Sequence, residues 1–208
     1  MMKKLIVLAV VLTVTSFAGA GVIDVVTDGL GSQGHAGTSQ DPLIAGETIG
    51  IKLLLNGGQQ NPQYPTYTGY DLSSMNFGLQ VTGPATFSAQ VTTAGTIKAA
   101  FRNPGLSPWF NIAPTATGIE QMMGTALTPI NGQADLVWGM TLACTGFGAV
   151  NINLSLVNLS EYRLYDGSPW TPMVEGDLGD LVIHQVPEPM TLALLGVGGL
   201  LLRRRSKK

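Results

Sequence analysis

The 208 residues suffice for one domain with short appendages and exclude a multidomain enzyme, since single domains commonly span ~100–200 residues. Charged residues make up only 12% of the chain, against about 25% in soluble domains, and hydrophobic residues make up 45%. Seven of the eleven Lys and Arg residues lie at the two termini, so the region 21–185 has four basic and twelve acidic residues. The excess of acidic residues in the region 21–185 excludes nucleic-acid binding, which depends on Lys and Arg neutralising phosphates.

The N-terminus has the three parts of a secretory signal peptide. Met1–Lys4 is a short positive segment, Leu5–Val14 is almost continuously apolar, and Ala18-Gly19-Ala20 is a small-x-small cleavage site. The apolar run has about half the ~20 residues that a membrane-spanning helix needs, which favours a cleaved signal over an anchor. We therefore predict cleavage by signal peptidase after Ala20, with the mature chain beginning at Gly21.

The region 21–185 is predicted to be all-β, because apolar residues recur at every second position. The clearest alternating runs are Ile49–Leu55, Met75–Val81, Leu136–Cys144 and Val150–Leu156. Weaker candidates are Val22–Val26, Thr86–Val91, Thr96–Arg102, Glu161–Tyr165 and Leu178–His184. About nine short strands separated by Gly-rich and Pro-containing turns predict an antiparallel two-sheet β-sandwich, of jelly-roll or cohesin-like type. In the third clear run, Trp138 shares the apolar face and is predicted to be buried.

Part of this region resembles cohesin-type and carbohydrate-binding-module-like sandwiches. The resemblance consists of Ala45-Gly46-Glu47-Thr48 before an alternating strand, Tyr70-Asp71 before Phe77-Gly78-Leu79, and the Leu136–Leu156 strand pair. Each of these elements is generic to β-sandwiches, so no binding residue is transferred from it. Cohesin-like domains bind dockerin partners, and the resemblance therefore implies a protein-binding module as an alternative function.

The sequence offers few residues for catalysis. His35 lies in a Gly-rich segment that is predicted to be a flexible polar surface loop, His184 is the second histidine, and Cys144 is the single cysteine. At the end of an alternating run, Cys144 is predicted to be a small buried hydrophobic residue. No paired-histidine motif or Gly-x-Ser-x-Gly elbow is present. We predict no enzymatic activity and no catalytic residue.

An extracellular polysaccharide hydrolase is the weaker alternative. Such an enzyme needs two carboxyl groups on one sheet face. The acidic residues of the predicted strands instead lie near strand ends, which face loops more than grooves.

Aromatic residues provide the candidate ligand-binding surface. Tyr64, Tyr67 and Tyr70 recur at three-residue spacing on what is predicted to be an extended, proline-containing loop. Together with Trp109 or Trp170, they would stack on the sugar rings of an exopolysaccharide. The alternative is that these side chains pack over sheet edges as loop anchors.

The segment Asn103–Pro129 is interrupted by prolines and glycines and shows no sustained alternation. We predict that it is mostly loop, with a helical turn at Thr117–Met123. Loops of this length in compact domains are usually functional or mobile, so the segment is a candidate binding face.

Three acidic residues near the C-terminal end of the region 21–185 are candidate metal ligands. Glu175, Asp177 and Asp180 supply oxygen ligands of the kind that extracellular modules use to bind Ca²⁺ weakly. The sequence has no EF-hand or dockerin loop spacing, so solvated charge is favoured over Ca²⁺. We predict no metal site and no cofactor.

The C-terminus combines a proline motif, an apolar run and a basic cluster. Val186-Pro187-Glu188-Pro189 precedes the apolar run Met190–Leu202, and Arg203-Arg204-Arg205 follows it. The thirteen apolar residues would form a helix of ~20 Å, which is short for a ~30 Å hydrocarbon core. We predict a marginal transmembrane helix whose basic cluster stays cytoplasmic and whose prolines keep an extended segment at the outer face of the inner membrane.

This three-part order resembles the PEP-CTERM sorting signal of exported bacterial proteins. The resemblance covers about Val186–Lys208 and implies that the chain is a substrate of a membrane-embedded exosortase. That enzyme would recognise Pro187, Glu188 and Pro189 and remove the tail. The resemblance also implies a Gram-negative-type host, and a mature protein on the cell surface or in the extracellular matrix. The predicted organisation is a signal peptide at 1–20, a β-sandwich at 21–185 and a sorting signal at 186–208.

Overall fold

The computed structural model describes residues 21–56, 60–61, 64–68, 70–89, 110–131, 133–158, 160–164 and 169–187. Within these residues the chain forms the strands β1 (Ile23–Thr27), β2 (Leu43–Ile44), β3 (Thr48–Leu55), β4 (Gln60–Asn61), β5 (Tyr64–Thr68), β6 (Tyr70–Thr82), β7 (Ala85–Ala89), β8 (Phe110–Thr115), β9 (Gly118–Asn131), β10 (Ala134–Cys144), β11 (Gly148–Leu156), β12 (Glu161–Leu164), β13 (Thr171–Pro172), β14 (Leu178–Gly179) and β15 (Leu181–Val186). One 3₁₀ turn, Glu175–Asp177, precedes β14. The predicted signal peptide, the strand Thr96–Arg102 and the segment 188–208 lie outside the described residues.

The strands form two sheets that enclose one core. The smaller sheet has the strand order β14-β1-β3-β10-β7. The larger sheet follows the path β13-β12-β6-β11-β15-β2, and β9 with β8 pairs along the other edge of β6. Strands β4 and β5 form a separate hairpin. These contacts confirm the predicted antiparallel sandwich, to which β1–β14 and β15–β2 add two short parallel pairs.

The core consists of the alternating residues of the long strands. In β3, the four residues at positions 49, 51, 53 and 55 are buried, whereas the intervening ones are partly exposed. The predicted apolar faces of β6 and β11 are also buried apart from the partly buried Leu156, and Phe77 is the largest fully buried side chain among the described residues. This arrangement places the apolar face of each sheet against the other, as expected for a sandwich.

The segment after residue 110 differs from its prediction. The expected loop and helical turn are absent from the described part, which forms β8 and the long strand β9. A register shift between β9 and β6 sets Met122 opposite Phe77 but Ile119 opposite Leu79. This bulge moves the buried residues of β9 out of strict alternation, which removes the period-two signal on which the prediction depended.

Bulges also change the exposed face of β10. Its register against β3 shifts between Asp135 and Val137 and again between Val137 and Met140, and Gly139 has a φ of 79°. Val137 and Met140 are both buried, whereas Trp138 is partly exposed. The prediction that Trp138 lies on the buried face is therefore wrong, because the extra residues in the bulges turn it outward.

Candidate functional site

A buried carboxylate organises the loop that joins β1 to β3. Glu47 is fully buried, and its Oε1 accepts hydrogen bonds from the backbone N–H groups of Gln33 and His35 at 3.0 and 3.3 Å. Its Oε2 accepts from the backbone N–H of Ile44 at 3.1 Å and from His35 Nδ1 at 2.9 Å. The predicted polar loop around His35 is therefore tied to the start of β3 by one side chain.

Hydrogen bonds determine the charge state of this carboxylate. Burial alone would raise the pKa of Glu47, but the donors from the Ile44 and Gln33 backbone and from His35 outweigh it and lower the pKa below its ordinary value. A Cβ atom at Gly31 would collide with the carboxylate. The buried ion thus serves the loop's architecture, with its oxygens occupied by protein donors.

A cleft of about 700 Å³ opens beside this loop on the smaller sheet. Lys52 and Leu54, which line it, alternate along β3 with the buried Ile51 and Leu53, so the cleft lies on the sheet face that points away from the core. The described residues that line it are Asp28, Lys52, Leu54, Gln133, Ala134, Asp135 and Trp138.

The polar side of the cleft is a three-residue charge cluster. The Lys52 ammonium lies 3.1 Å from an Asp135 carboxylate oxygen and 3.3 Å from Asp28 Oδ1. The hydrogen bond that Lys52 donates to Asp135 makes the largest contribution to its raised pKa, and its interaction with Asp28 raises the pKa further, whereas burial lowers it. Lys52 is therefore held as a cation between two carboxylates, and the partly exposed Trp138 lines the same cleft.

Sequence reasoning missed this cleft because it placed Trp138 in the core. One sequence signal was available: Gly139 follows Trp138 inside an otherwise regular strand, and a glycine within a strand often marks a bulge. The charge cluster carries no sequence signal of its own, since Lys52 and Asp135 are 83 positions apart.

The predicted aromatic surface is dispersed over several strands. Tyr64 and Tyr67 lie in β5 and Tyr70 begins β6, so these tyrosines belong to strands and not to the predicted extended loop. Trp170 is exposed directly before β13, and β12 separates that strand from β6 in the larger sheet. Trp109 lies outside the described residues.

The acidic residues considered for Ca²⁺ bond to the backbone. Glu175 accepts from the Leu156 N–H at 2.9 Å, and Asp180 accepts from the Leu154 N–H at 2.9 Å. Asp177 accepts from the Val174 N–H at 2.8 Å within the 3₁₀ turn. Within the described ranges, no group of three or more His, Cys, Asp or Glu residues is arranged to hold a metal ion.

The structure confirms the prediction that Cys144 is a small buried residue. It is buried at the end of β10, and its thiol is free. Burial first, and the nearby Glu47 charge second, raise the pKa of the Cys144 thiol to about 11. A thiol of this kind is protonated at neutral pH and is not activated as a nucleophile.

The last strand fixes the point at which the C-terminal segment leaves the sandwich. Gln185 in β15 is buried, and when its side-chain amide is oriented to satisfy its neighbours, its nitrogen donates to the carbonyl oxygens of Pro84 and Gly146 at 3.0 and 3.2 Å. Val186 ends the strand, and Pro187 is the first residue beyond it. Of the predicted sorting residues, Val186 and Pro187 are thus placed by the fold, whereas Glu188, Pro189 and Arg203–Arg205 lie outside the described residues. So do Ala18 and Ala20 of the predicted cleavage site, while Gly21 begins the described part.

Comparison with known protein families identifies this C-terminal segment. Residues 185–207 match the PEP-CTERM protein-sorting motif, which confirms the sorting signal predicted from the sequence. No curated protein matches the chain in sequence. Among the described residues, no helix has the length and apolar character that a membrane span requires.

Comparison of the whole fold with solved structures returns cohesin modules. The cohesin module of a Clostridium perfringens family 33 glycoside hydrolase aligns at 10% identity and a TM-score of 0.43, covering 81% of this chain and 99% of that chain. The seventh ScaB type I cohesin from Pseudobacteroides cellulosolvens aligns at 12% identity and a TM-score of 0.47, with coverages of 79% and 92%. A non-cellulosomal cohesin from the archaeon Archaeoglobus fulgidus aligns at 9% identity and a TM-score of 0.39, with coverages of 82% and 96%.

Proposed function

We propose that the chain is an exported precursor that an exosortase in the inner membrane processes, releasing the β-sandwich to the cell surface or extracellular matrix of a Gram-negative-type bacterium. The observation that carries this proposal is the sorting-motif match at residues 185–207. The motif begins inside β15, so its proline segment follows a strand end that the buried Gln185 holds in place. A short apolar run and an Arg cluster behind that segment would halt translocation with the prolines on the outer side.

Processing is tested by replacing the sorting residues in the native host. Pro187→Ala, Glu188→Ala and Pro189→Ala combined should leave the full precursor in the inner-membrane fraction. The wild-type protein at the cell surface should begin near Gly21 and lack Met190–Lys208. Intact-mass measurement of both fractions reads out the two processing events.

A matched control removes a negative charge elsewhere. Glu120 is exposed on β9, so Glu120→Ala should be processed like wild type. Wild-type protein that reaches the surface with its Arg cluster attached would contradict exosortase processing.

We further propose that the sandwich is a non-catalytic module that binds a neutral exopolysaccharide in the Trp138 cleft. Trp138, which is partly exposed and lines the cleft, would supply the flat apolar surface that stacks on a sugar ring, and aromatic residues commonly combine such a surface with polar neighbours. Lys52, Asp28 and Asp135 supply donors and acceptors for sugar hydroxyls. One cation between two carboxylates leaves excess negative charge, which favours a neutral glycan over an acidic one.

The same cluster argues against hydrolysis. A glycosidase requires two carboxyl groups in unlike environments, one kept protonated and one ionised. Asp28 and Asp135 share a single partner, the Lys52 ammonium, so their surroundings are alike. The proposed binding therefore needs neither a catalytic residue nor a cofactor.

Binding is tested with the purified mature protein and neutral polysaccharides. Trp138→Ala should weaken affinity by about tenfold, the size of effect expected from losing one aromatic stacking contact. Trp138→Phe, which keeps a ring, should retain most of the affinity. Isothermal titration calorimetry measures both variants against wild type.

The remaining hypotheses give different results in the same assay. If the triple variant Tyr64/Tyr67/Tyr70→Ala loses binding while Trp138→Ala binds like wild type, the glycan site lies at the tyrosines. That result would contradict binding in the Trp138 cleft. Selective binding of a purified protein partner with no glycan affinity would favour the cohesin-like alternative. Release of reducing ends that disappears in Asp28→Asn or Asp135→Asn would show a hydrolase.

A further inference from the structure

The sorting segment leaves the sandwich at one end, which we call the exit end. It consists of the turns at 44–46, 83–84 and 145–147 together with Val186. Strand pairing brings them together, since Gln185 lies opposite both Leu43 of β2 and Gly148 of β11. The Gln185 amide also bonds to two of these turns, so the exit end is a fixed surface from which the tail emerges.

The tip of the exit end is apolar and uncharged. Phe147 at the tip of the β10–β11 turn is 72% exposed, and Val186 is 37% exposed. Leu30, 63% exposed, belongs to the same end, because the adjacent Gly31 lies against Leu43 and Glu47. The three turns contain no Asp, Glu, Lys or Arg, and the nearby Glu47 is buried. Asp28, two positions before Leu30, is exposed but paired with Lys52.

The opposite end of the sandwich differs from the exit end in its charge. It carries Glu175, Asp177 and Asp180 around the 3₁₀ turn, close to the end of β11. Val174 at this end is 60% exposed, so exposed apolar residues occur at both ends. Charge is what distinguishes them: acidic groups surround Val174, and none lies in the turns that surround Phe147.

Chain length places the exit end close to the bilayer. Three residues separate Val186 from the apolar run that begins at Met190, and four extended steps reach about 14 Å. The headgroup layer on one side of a bilayer accounts for about 5–8 Å of that distance. Val186 and the paired turn that carries Phe147 therefore lie close to the headgroup layer, within about 14 Å of the start of the apolar run, whenever that run is in the membrane.

We propose that the exit end is a membrane-contact surface of the precursor, with the Phe147 ring inserted into the lipid interface so that the sorting motif is presented for cleavage at the membrane surface. This inference rests on the proposed function, because it requires the apolar run to be anchored. Phe is among the residues that insert into the bilayer interface, and turns without charged residues avoid the cost of desolvating acidic groups. Removal of the tail leaves only the exposed Phe147, Leu30 and Val186 side chains, which are too small a surface to hold the mature protein on the lipid.

The contact is tested with full-length precursor in phosphatidylcholine vesicles that contain brominated acyl chains. Bromine atoms quench the fluorescence of tryptophans that enter the lipid. The Phe147→Trp variant should therefore show more quenching than the wild type in the same vesicles. Val174→Trp at the opposite end is the matched control and should show no added quenching. Ala193→Trp, within the predicted apolar run, reports anchoring independently and should be quenched.

The outcomes separate the two proposals. Quenching at positions 147 and 193 but not at 174 supports the contact, whereas quenching at 193 alone overturns it and leaves anchoring intact. Absence of quenching at all three positions overturns the anchoring on which the proposed function depends, and the contact with it.

A second readout is processing in the native host. Phe147→Asp should slow tail removal by about tenfold, the order expected when a charge replaces one partly buried aromatic ring, and Val174→Asp should not. Slow processing of Phe147→Asp without quenching at position 147 would overturn the lipid contact and assign the ring to the enzyme instead.

Discussion

Glu47→Ala is expected to lower the free energy of unfolding by about 3–5 kcal/mol. The substitution removes a buried acceptor and leaves the backbone N–H groups of Gln33, His35 and Ile44 without it. Hydrogen bonds to charged groups are worth about 1.5–3 kcal/mol each, and relaxation of the loop into water recovers part of the loss. Denaturant titration of the mature protein measures the change. Glu120→Ala, at an exposed position, is the control and should change stability by less than about 0.5 kcal/mol.

The same residue makes stability depend on pH in the acidic range. The folded-state pKa of Glu47 is lowered from 4.5, so its stabilisation is fully present above that value and disappears as the pH falls through the folded pKa. The stability difference between wild type and Glu47→Gln should therefore shrink below about pH 4.5. A difference that stays constant down to pH 2 would show that the carboxylate charge contributes nothing.

The regular strands of the sandwich were predictable because burial on one face imposes strict alternation. In β3, every second residue from Ile49 to Leu55 is buried, as the sequence pattern predicts. Strands β9 and β10 fail this rule at their bulges, where an inserted residue shifts the faces. A bulge arises from pairing with a distant strand, so the local sequence shows at most a glycine such as Gly139.

The candidate sites also differ in how far the sequence predicts them. The sorting segment is contiguous in sequence, so its prolines, apolar run and basic cluster were recognisable without a fold. The cleft joins Asp28, which directly follows β1, to Lys52 of β3 and Trp138 of β10, and only the sheet order brings them together. The role of Glu47 could not be predicted either, because most of its partners are backbone N–H groups, which every residue except proline possesses.

Phe77→Ala is expected to destabilise the mature protein by about 3–5 kcal/mol, a large part of the ~5–15 kcal/mol that stabilises a typical domain. The Phe77 side chain is fully buried on β6, where deletion of the ring leaves a cavity between the sheets. Phe147→Ala is the control and should change stability by less than about 0.5 kcal/mol, because that ring is already in solvent. Trp138→Ala should fall between them, at about 1–2 kcal/mol, since Trp138 is only partly buried. If denaturant titration shows Trp138→Ala to be as costly as Phe77→Ala, Trp138 belongs to the core after all, and the bulges in β10 do not turn it toward the cleft.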